Sequence, residues 1–139
     1  MKINKIILSF ISALAILLSS SLTSFAKVVG DKIILGSAIS LTGKYSSNGV
    51  HTQNGYNMAV DRINSMGGIK VGGKTYKFDI IYYDDESNPK RAAQLAERLI
   101  SQDGVEFMLG PYSSGLTKAI APVTAVSYTH LTLPTILLV

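Results

Sequence analysis

Hydrophobic positions in this chain fall into short unbroken runs separated by longer stretches in which they recur every three or four residues. Ile33-Ile34-Leu35-Gly36-Ser37-Ala38-Ile39 is the first run, with the length of a buried strand. Ser40 to Gly49 is polar and carries two glycines, which predicts a loop. From Val50 to Met66 the period lengthens. Met58, Ala59, Ile63 and Met66 recur at helical spacing, with Asp61, Arg62 and Asn64 on other faces, and Gly67-Gly68 ends the predicted helix. Val71-Gly72-Gly73-Lys74 reads as a tight turn, and Thr75 to Tyr83, rich in aromatic and β-branched residues, as a second strand.

Asp84-Asp85-Glu86-Ser87-Asn88-Pro89 connects that strand to the next helix. Asn88 suits the N-cap and Pro89 the first helical position. The helix is expected over Pro89 to Gln102 with Ala92, Leu95, Ala96, Leu99 and Ile100 as its apolar face, and Asp103-Gly104 stops it. Val105 to Leu109 forms a third strand, and a further helix starts near Ser114. Strand and helix alternate at a spacing that predicts a doubly wound α/β fold, a parallel sheet with helices on its faces. Ser127 to Val139 has no glycine and no charged residue except for a histidine, and the alternation loses its register from about Val126. Pro134 to Val139 has strand character, yet residues 127–139 read as an atypical tail, an expected assembly or adaptor artefact rather than part of the domain.

The first 26 residues read as a separate unit. Lys2 and Lys5 precede an apolar stretch from Ile6 to Leu22, and Ser24-Phe25-Ala26 places small residues where a leader is cut. This is the layout of a secretory signal peptide cleaved after Ala26, and it is favoured over a membrane anchor, for which the stretch is at the short end of the ~17–25 residues needed. Export to the periplasm or the extracellular face follows. The remaining 113 residues, enough for about one domain, keep eleven basic against nine acidic side chains, a net charge of +2. No basic cluster with interleaved aromatics is left, which argues against nucleic acid as a partner. The absence of cysteine excludes disulfides, thiol chemistry and a lipid anchor.

Gly68-Ile69-Lys70-Val71-Gly72-Gly73-Lys74-Thr75 matches the phosphate-loop pattern letter for letter. A phosphate loop follows a strand and opens a helix; here a helix precedes and a strand follows, so the match is taken as chance. Asp84-Asp85-Glu86 lacks the alternating ligand spacing of a calcium loop, and acids before a helix favour its positive end without any metal. His51 and His130 have no partner at zinc-ligand spacing. No metal and no cofactor are expected. A nucleophilic-serine hydrolase is disfavoured too: there is no G-x-S-x-G elbow, and Ser113-Ser114 has no evident base. The chain is therefore not read as an enzyme.

The run Val105 to Leu109 nevertheless opens into Gly110-Pro111-Tyr112-Ser113-Ser114-Gly115 at a predicted helix start. In an open parallel sheet, ligands bind beyond the carboxyl ends of the strands where the winding direction reverses. Usual winding puts that point between the first and third strands. The loops that leave those strands, Ser40–Gly49 and Gly110–Gly115, are both rich in hydroxyls and glycines and each carries a tyrosine, Tyr45 and Tyr112. Ser114 is expected where a helix N-terminus offers free N–H groups and a positive dipole end, a seat for a carboxylate and equally an ordinary cap. Ser87, in the loop after the second strand, is expected to lie away from this cleft.

The segments "SAISLTGKYSSNGVHTQNGYNMAVDRINSMGGIKVGGK", "YDDESNPKRAAQLAERLI" and "DGVEFMLGPYSSGLTKAIAPV" together resemble the N-terminal lobe of the branched-chain amino-acid (leucine/isoleucine/valine) type of ABC-transporter substrate-binding protein. The resemblance runs from about Lys32 to Ala125. It implies a type I periplasmic-binding-protein fold of two Rossmann-like lobes joined by a hinge, of which this chain holds a truncated first lobe over residues 27–126. It implies an amino acid as ligand, an ABC-transporter membrane permease as partner, and a monomer when complete. By the same resemblance Ser114, with Ser113 and Gly115 beside it, holds the ligand's α-carboxylate, and the loop Tyr45 to Asn48 covers its side chain; Tyr112, from the loop reading above, is a further candidate ligand-binding residue. Within the same fold, the alternatives are a sensor or receptor domain for a small amide or organic acid and, less favoured, a doubly wound hydrolase. A lone lobe is expected to bind very weakly.

Overall fold

The computed structural model describes residues 27–127 and 130–132. In chain order the elements are β1 (Val28–Val29), β2 (Lys32–Ile39), α1 (Ser46–Ser65), β3 (Ile69–Val71), β4 (Lys74–Asp84), α2 (Pro89–Ser101), β5 (Phe107–Leu109), α3 (Ser114–Val126) and β6 (His130–Thr132). The sheet runs β3-β4-β2-β5-β6, with β1 paired to β2. The central pairs β2–β4, β2–β5 and β5–β6 are parallel, and the short β1 and β3 add antiparallel edges. Helices lie on both faces, as doubly wound topology requires: α2 and α3 pack on one, α1 on the other.

The α2 side holds the core. Even-numbered positions of β2, Ile34 and Ala38, face Ala92, Ala96 and Leu99 of α2, Leu116 and Ile120 of α3, and Val105 and Met108. Burying a side chain such as Leu99 contributes roughly 1.5–3 kcal/mol. The cap of α2 is as expected: the Lys90 and Arg91 N–H groups donate to Asn88 Oδ1 at 2.9 and 3.1 Å, and Pro89 follows.

Several sequence expectations change. The helix after the first strand starts at Ser46, not Val50, so Asn48 and Gly49 lie in its first turn rather than in a loop. Its inward stripe is Gly49, Gln53, Tyr56, Val60, Ile63 and Asn64. Met58 and Met66, read as apolar-face residues, are 71% and 67% exposed. The inward stripe is partly polar because it binds backbone. Tyr56 Oη donates to the Gly110 carbonyl at 2.8 Å, and the Asn64 amide exchanges two hydrogen bonds with the backbone of Phe78, at 2.8 and 2.9 Å. Phe78 lies just past the end of β3–β4 pairing, so Asn64 occupies an edge that the third strand leaves open. The third expected strand begins at Phe107; Val105 is buried but outside it. A fourth parallel strand is present at His130–Thr132, while the strand-like Pro134 to Val139 lies outside the described residues, as does the leader. The phosphate-loop look-alike runs from the turn after α1 through β3 into the start of β4, and no helix opens directly after it.

Among the described residues, the α1 face of the sheet is only partly covered. Tyr82 Oη donates to Asn57 Oδ1 of α1 at 2.9 Å. Farther from α1, Ile33, Leu35, Ile69, Val71, Phe78, Phe107 and Leu109 line an open apolar cavity of about 470 Å³. Among the described residues, no helix is long and apolar enough to cross a membrane.

Candidate functional site

The winding direction of the sheet reverses at β2, whose parallel neighbours are β4 on one side and β5 on the other. The carboxyl ends of β2 and β5 therefore flank the crevice in which such sheets bind ligands. Ser40 to Tyr45 leaves β2 there, and Gly110 to Ser113 leaves β5. The two loops meet through their tyrosines: the rings of Tyr45 and Tyr112 have centroids 6.4 Å apart at an interplanar angle of 52°. Tyr45 packs partly against the core, whereas Tyr112 is exposed. Lys44 Nζ lies 5.3 Å from the Tyr45 ring centroid, a cation over an aromatic face at the loop's outer edge. Gly110 and Pro111 are buried beneath, with the Gly110 carbonyl held by Tyr56.

Two helices start at this edge, and neither is closed by a side chain. Ser113 is the N-cap of α3, with extended backbone (φ −91°, ψ 135°), and its hydroxyl makes no capping bond. Its carbonyl accepts the first intrahelical bond, from the Thr117 N–H at 2.9 Å, and the Thr117 hydroxyl at 3.1 Å. The N–H groups of Ser114, Gly115 and Leu116 have no intrahelical acceptor by helix geometry. Ser114 and Gly115 are exposed. Tyr45 caps α1, again without a side-chain bond, and neither first turn holds an acid. A helix N-terminus whose first turn holds no acid favours an anion beside it.

Ser113, Ser114, Gly115, Tyr112 and Tyr45 thus lie along one edge of the crevice. Asn48 lies there as well, half-buried, but in the first turn of α1, where its carbonyl accepts from the Thr52 hydroxyl at 2.9 Å. The early start of α1 escaped the sequence because Gly49 looked like a loop glycine; a helix tolerates it where backbone presses close.

The sequence also missed the β4–α2 loop. Ser87 does not lie away from the cleft loop; its Oγ donates to the Thr42 carbonyl at 2.8 Å and accepts the Tyr45 N–H at 2.9 Å. Asp84 accepts the N–H groups of Leu41 (2.9 Å), Thr42 (3.2 Å) and Glu86 (2.9 Å) and the Thr42 hydroxyl (2.7 Å). Burial pushes its carboxyl up, but those hydrogen bonds together outweigh it and hold the pKa below the ordinary carboxylate value. Asp85 behaves oppositely. It is fully buried, takes the Ser40 hydroxyl at 2.6 Å and the Ser87 N–H at 2.8 Å on Oδ1, and has no partner for Oδ2 among the described residues; desolvation raises its pKa. The acidic run read from the sequence as a helix-start feature is therefore engaged in bracing two loops.

Residues 32–131 match the family described as periplasmic binding protein. The chain is 32% identical over 112 residues to the Leu/Ile/Val-binding protein BraC3 of Rhizobium johnstonii, an alignment that covers 81% of this chain and 29% of that protein. Its fold is similar to that of the branched-chain amino acid transporter substrate-binding protein LivJ of Streptococcus pneumoniae, solved in complex with isoleucine. The TM-score is 0.68 at 30% identity, over 75% of this chain and 29% of that one. A type 1 periplasmic binding protein from Bordetella pertussis gives a TM-score of 0.62 at 28% identity, over 73% of this chain and 26% of that one. The chain thus spans less than a third of the length of these relatives.

Proposed function

The chain belongs to the periplasmic binding protein family, and from that premise we propose that it supplies the first lobe of an exported binding protein that captures an amino acid of the branched-chain class and delivers it to an ABC-transporter permease. Its role is binding without turnover. The observation that carries the reading is the open N-terminus of α3 beside the Tyr45–Tyr112 pair at the crevice. A zwitterionic amino acid has a carboxylate for the helix end, and an apolar side chain suits the flank of aromatic rings. Ser114 then adds its hydroxyl to the N–H groups around it, with Ser113 and Gly115 beside it, and Tyr45, Asn48 and Tyr112 flank the side chain. The likeness to proteins named for leucine, isoleucine and valine supports the ligand class. In this reading a second lobe closes over the ligand, residues 1–26 are removed on export, and the complete protein is a monomer.

Titration calorimetry with leucine, isoleucine and valine on the two-lobed protein carrying this lobe tests it. A hydrogen bond to a charged group contributes about 1.5–3 kcal/mol, so Ser114→Ala should weaken binding roughly 10- to 150-fold. The lower end is expected, because the backbone donors survive. Equal affinities would remove the Ser114 hydroxyl from the site.

A further inference from the structure

The loop that carries Tyr45 has one internal backbone bond, from the Ser46 N–H to the Gly43 carbonyl at 3.2 Å, and is otherwise held by the neighbouring β4–α2 loop. Gly43 has φ +80°, and a Cβ there would lie 2.6 Å from the Glu86 carbonyl oxygen, so the β2–α1 and β4–α2 loops touch backbone to backbone. Glu86 and Ser87 themselves take φ +54° and +62°, a left-handed conformation that is uncommon for residues other than glycine. That geometry turns the Ser87 hydroxyl into the first loop, where it bridges the Thr42 carbonyl and the Tyr45 N–H. Asp84 gathers Leu41 and Thr42 of the same loop. Tyr45 is thereby fixed at its backbone, one residue before α1, with its ring beside Tyr112.

We infer that Ser87, backed by Asp84, is a positioning residue for the ligand crevice: it sets where the Tyr45 ring stands without touching the ligand. This rests on the solute-binding reading above and extends it to a loop on the far side of β2. The competing account is that Ser87 only satisfies backbone groups and that the Tyr45 position is indifferent to it.

Two measurements separate these. In the 139-residue chain, amide exchange at Tyr45 should speed up in Ser87→Ala and in Ser87→Gly, because both lose the acceptor. Ser87→Gly also releases the left-handed backbone, so wild-type behaviour in Ser87→Gly alone would show that strain, not the hydroxyl, matters, and would overturn the inference. In the two-lobed protein, isoleucine affinity should fall roughly 3- to 10-fold in Ser87→Ala, the size of one ordinary hydrogen bond. In a Tyr45→Ala background the same change should cost nothing further. An equal loss in both backgrounds, or no loss with unchanged Tyr45 exchange, refutes the positioning role. If the wild-type protein binds no branched-chain amino acid, the solute-binding reading fails, while unchanged exchange at Tyr45 would still refute the brace.

Discussion

A methyl group on Gly49 would lie 1.8 Å from the Ser40 carbonyl oxygen, so this residue lets the first turn of α1 press against the end of β2. No flexible side chain can yield there, since the obstacle is backbone. Gly49→Ala should therefore destabilise the chain by at least the upper part of the ~1–3 kcal/mol range for overpacking. Urea unfolding measures this, and Gly55→Ala is the control, because its Cβ would meet nothing within 4 Å. The control should be neutral or slightly stabilising, since alanine is favoured over glycine in a helix. An equal response of the two variants would mean that α1 can shift away from β2 at little cost. The same contact fixes the first turn of α1, which includes Asn48, against the end of β2.

Among the elements, the paired loops after β2 and β4 behave as one unit, and Asp84 is its acceptor hub. Asp84→Asn keeps the shape and removes the charge, weakening bonds that a carboxylate makes best. Near neutral pH the variant should unfold at a lower temperature, with about 4–8 °C lost for each kcal/mol in a domain of this size. The pH dependence has a definite sign. The folded pKa of Asp84 is lowered, so its contribution is present above the ordinary value of 3.8 and is lost as pH falls through the lower folded value. The gap between variant and wild type should close over that acid range. A gap that persists there would assign the effect to packing. Asp85 runs the other way: its raised pKa makes the ionised form the costly one, so its share of stability declines as pH rises through the carboxylate range.

At the scale of the molecule the two sheet faces differ. One carries α2 and α3 over a continuous core, whereas the other leaves Ile33, Leu35, Phe78 and Leu109 around an open apolar cavity. Among the described residues its lining is buried or half-buried apart from the exposed Val71, and apolar surface that stays open to solvent favours association. The 139-residue chain should bind an anilinonaphthalene dye and sediment as larger species as its concentration rises. Val71→Lys, at a rim position that is 53% exposed, should reduce both without unfolding the domain. Monomeric wild-type chain with no dye binding would contradict the open face.

The periodicity of β2, β4 and α2, the Asn88-Pro89 start and the glycine stops were legible along the chain because each depends on neighbours within one or two turns. The position of β2 between β4 and β5, which brings the loops bearing Tyr45 and Ser114 to one side, followed only once the usual winding was assumed, and the observed strand order agrees with it. The inward face of α1 was not legible. Tyr56 and Asn64 are polar by composition and point inward only because Gly110 and Phe78 offer backbone partners across the sheet. Ser87 was misread for the same reason: its hydroxyl acquires a role through Thr42 and Tyr45, some 42 to 45 residues away in sequence. Local pattern reports how each segment can fold, and hydrogen bonds between distant segments exist only after the sheet has brought them together. Sequence by itself determined the alternation of strand and helix, because that rests on neighbours along the chain; tertiary structure decided which distant loop holds the backbone of Tyr45, because the Ser87 hydroxyl meets it only across the sheet edge.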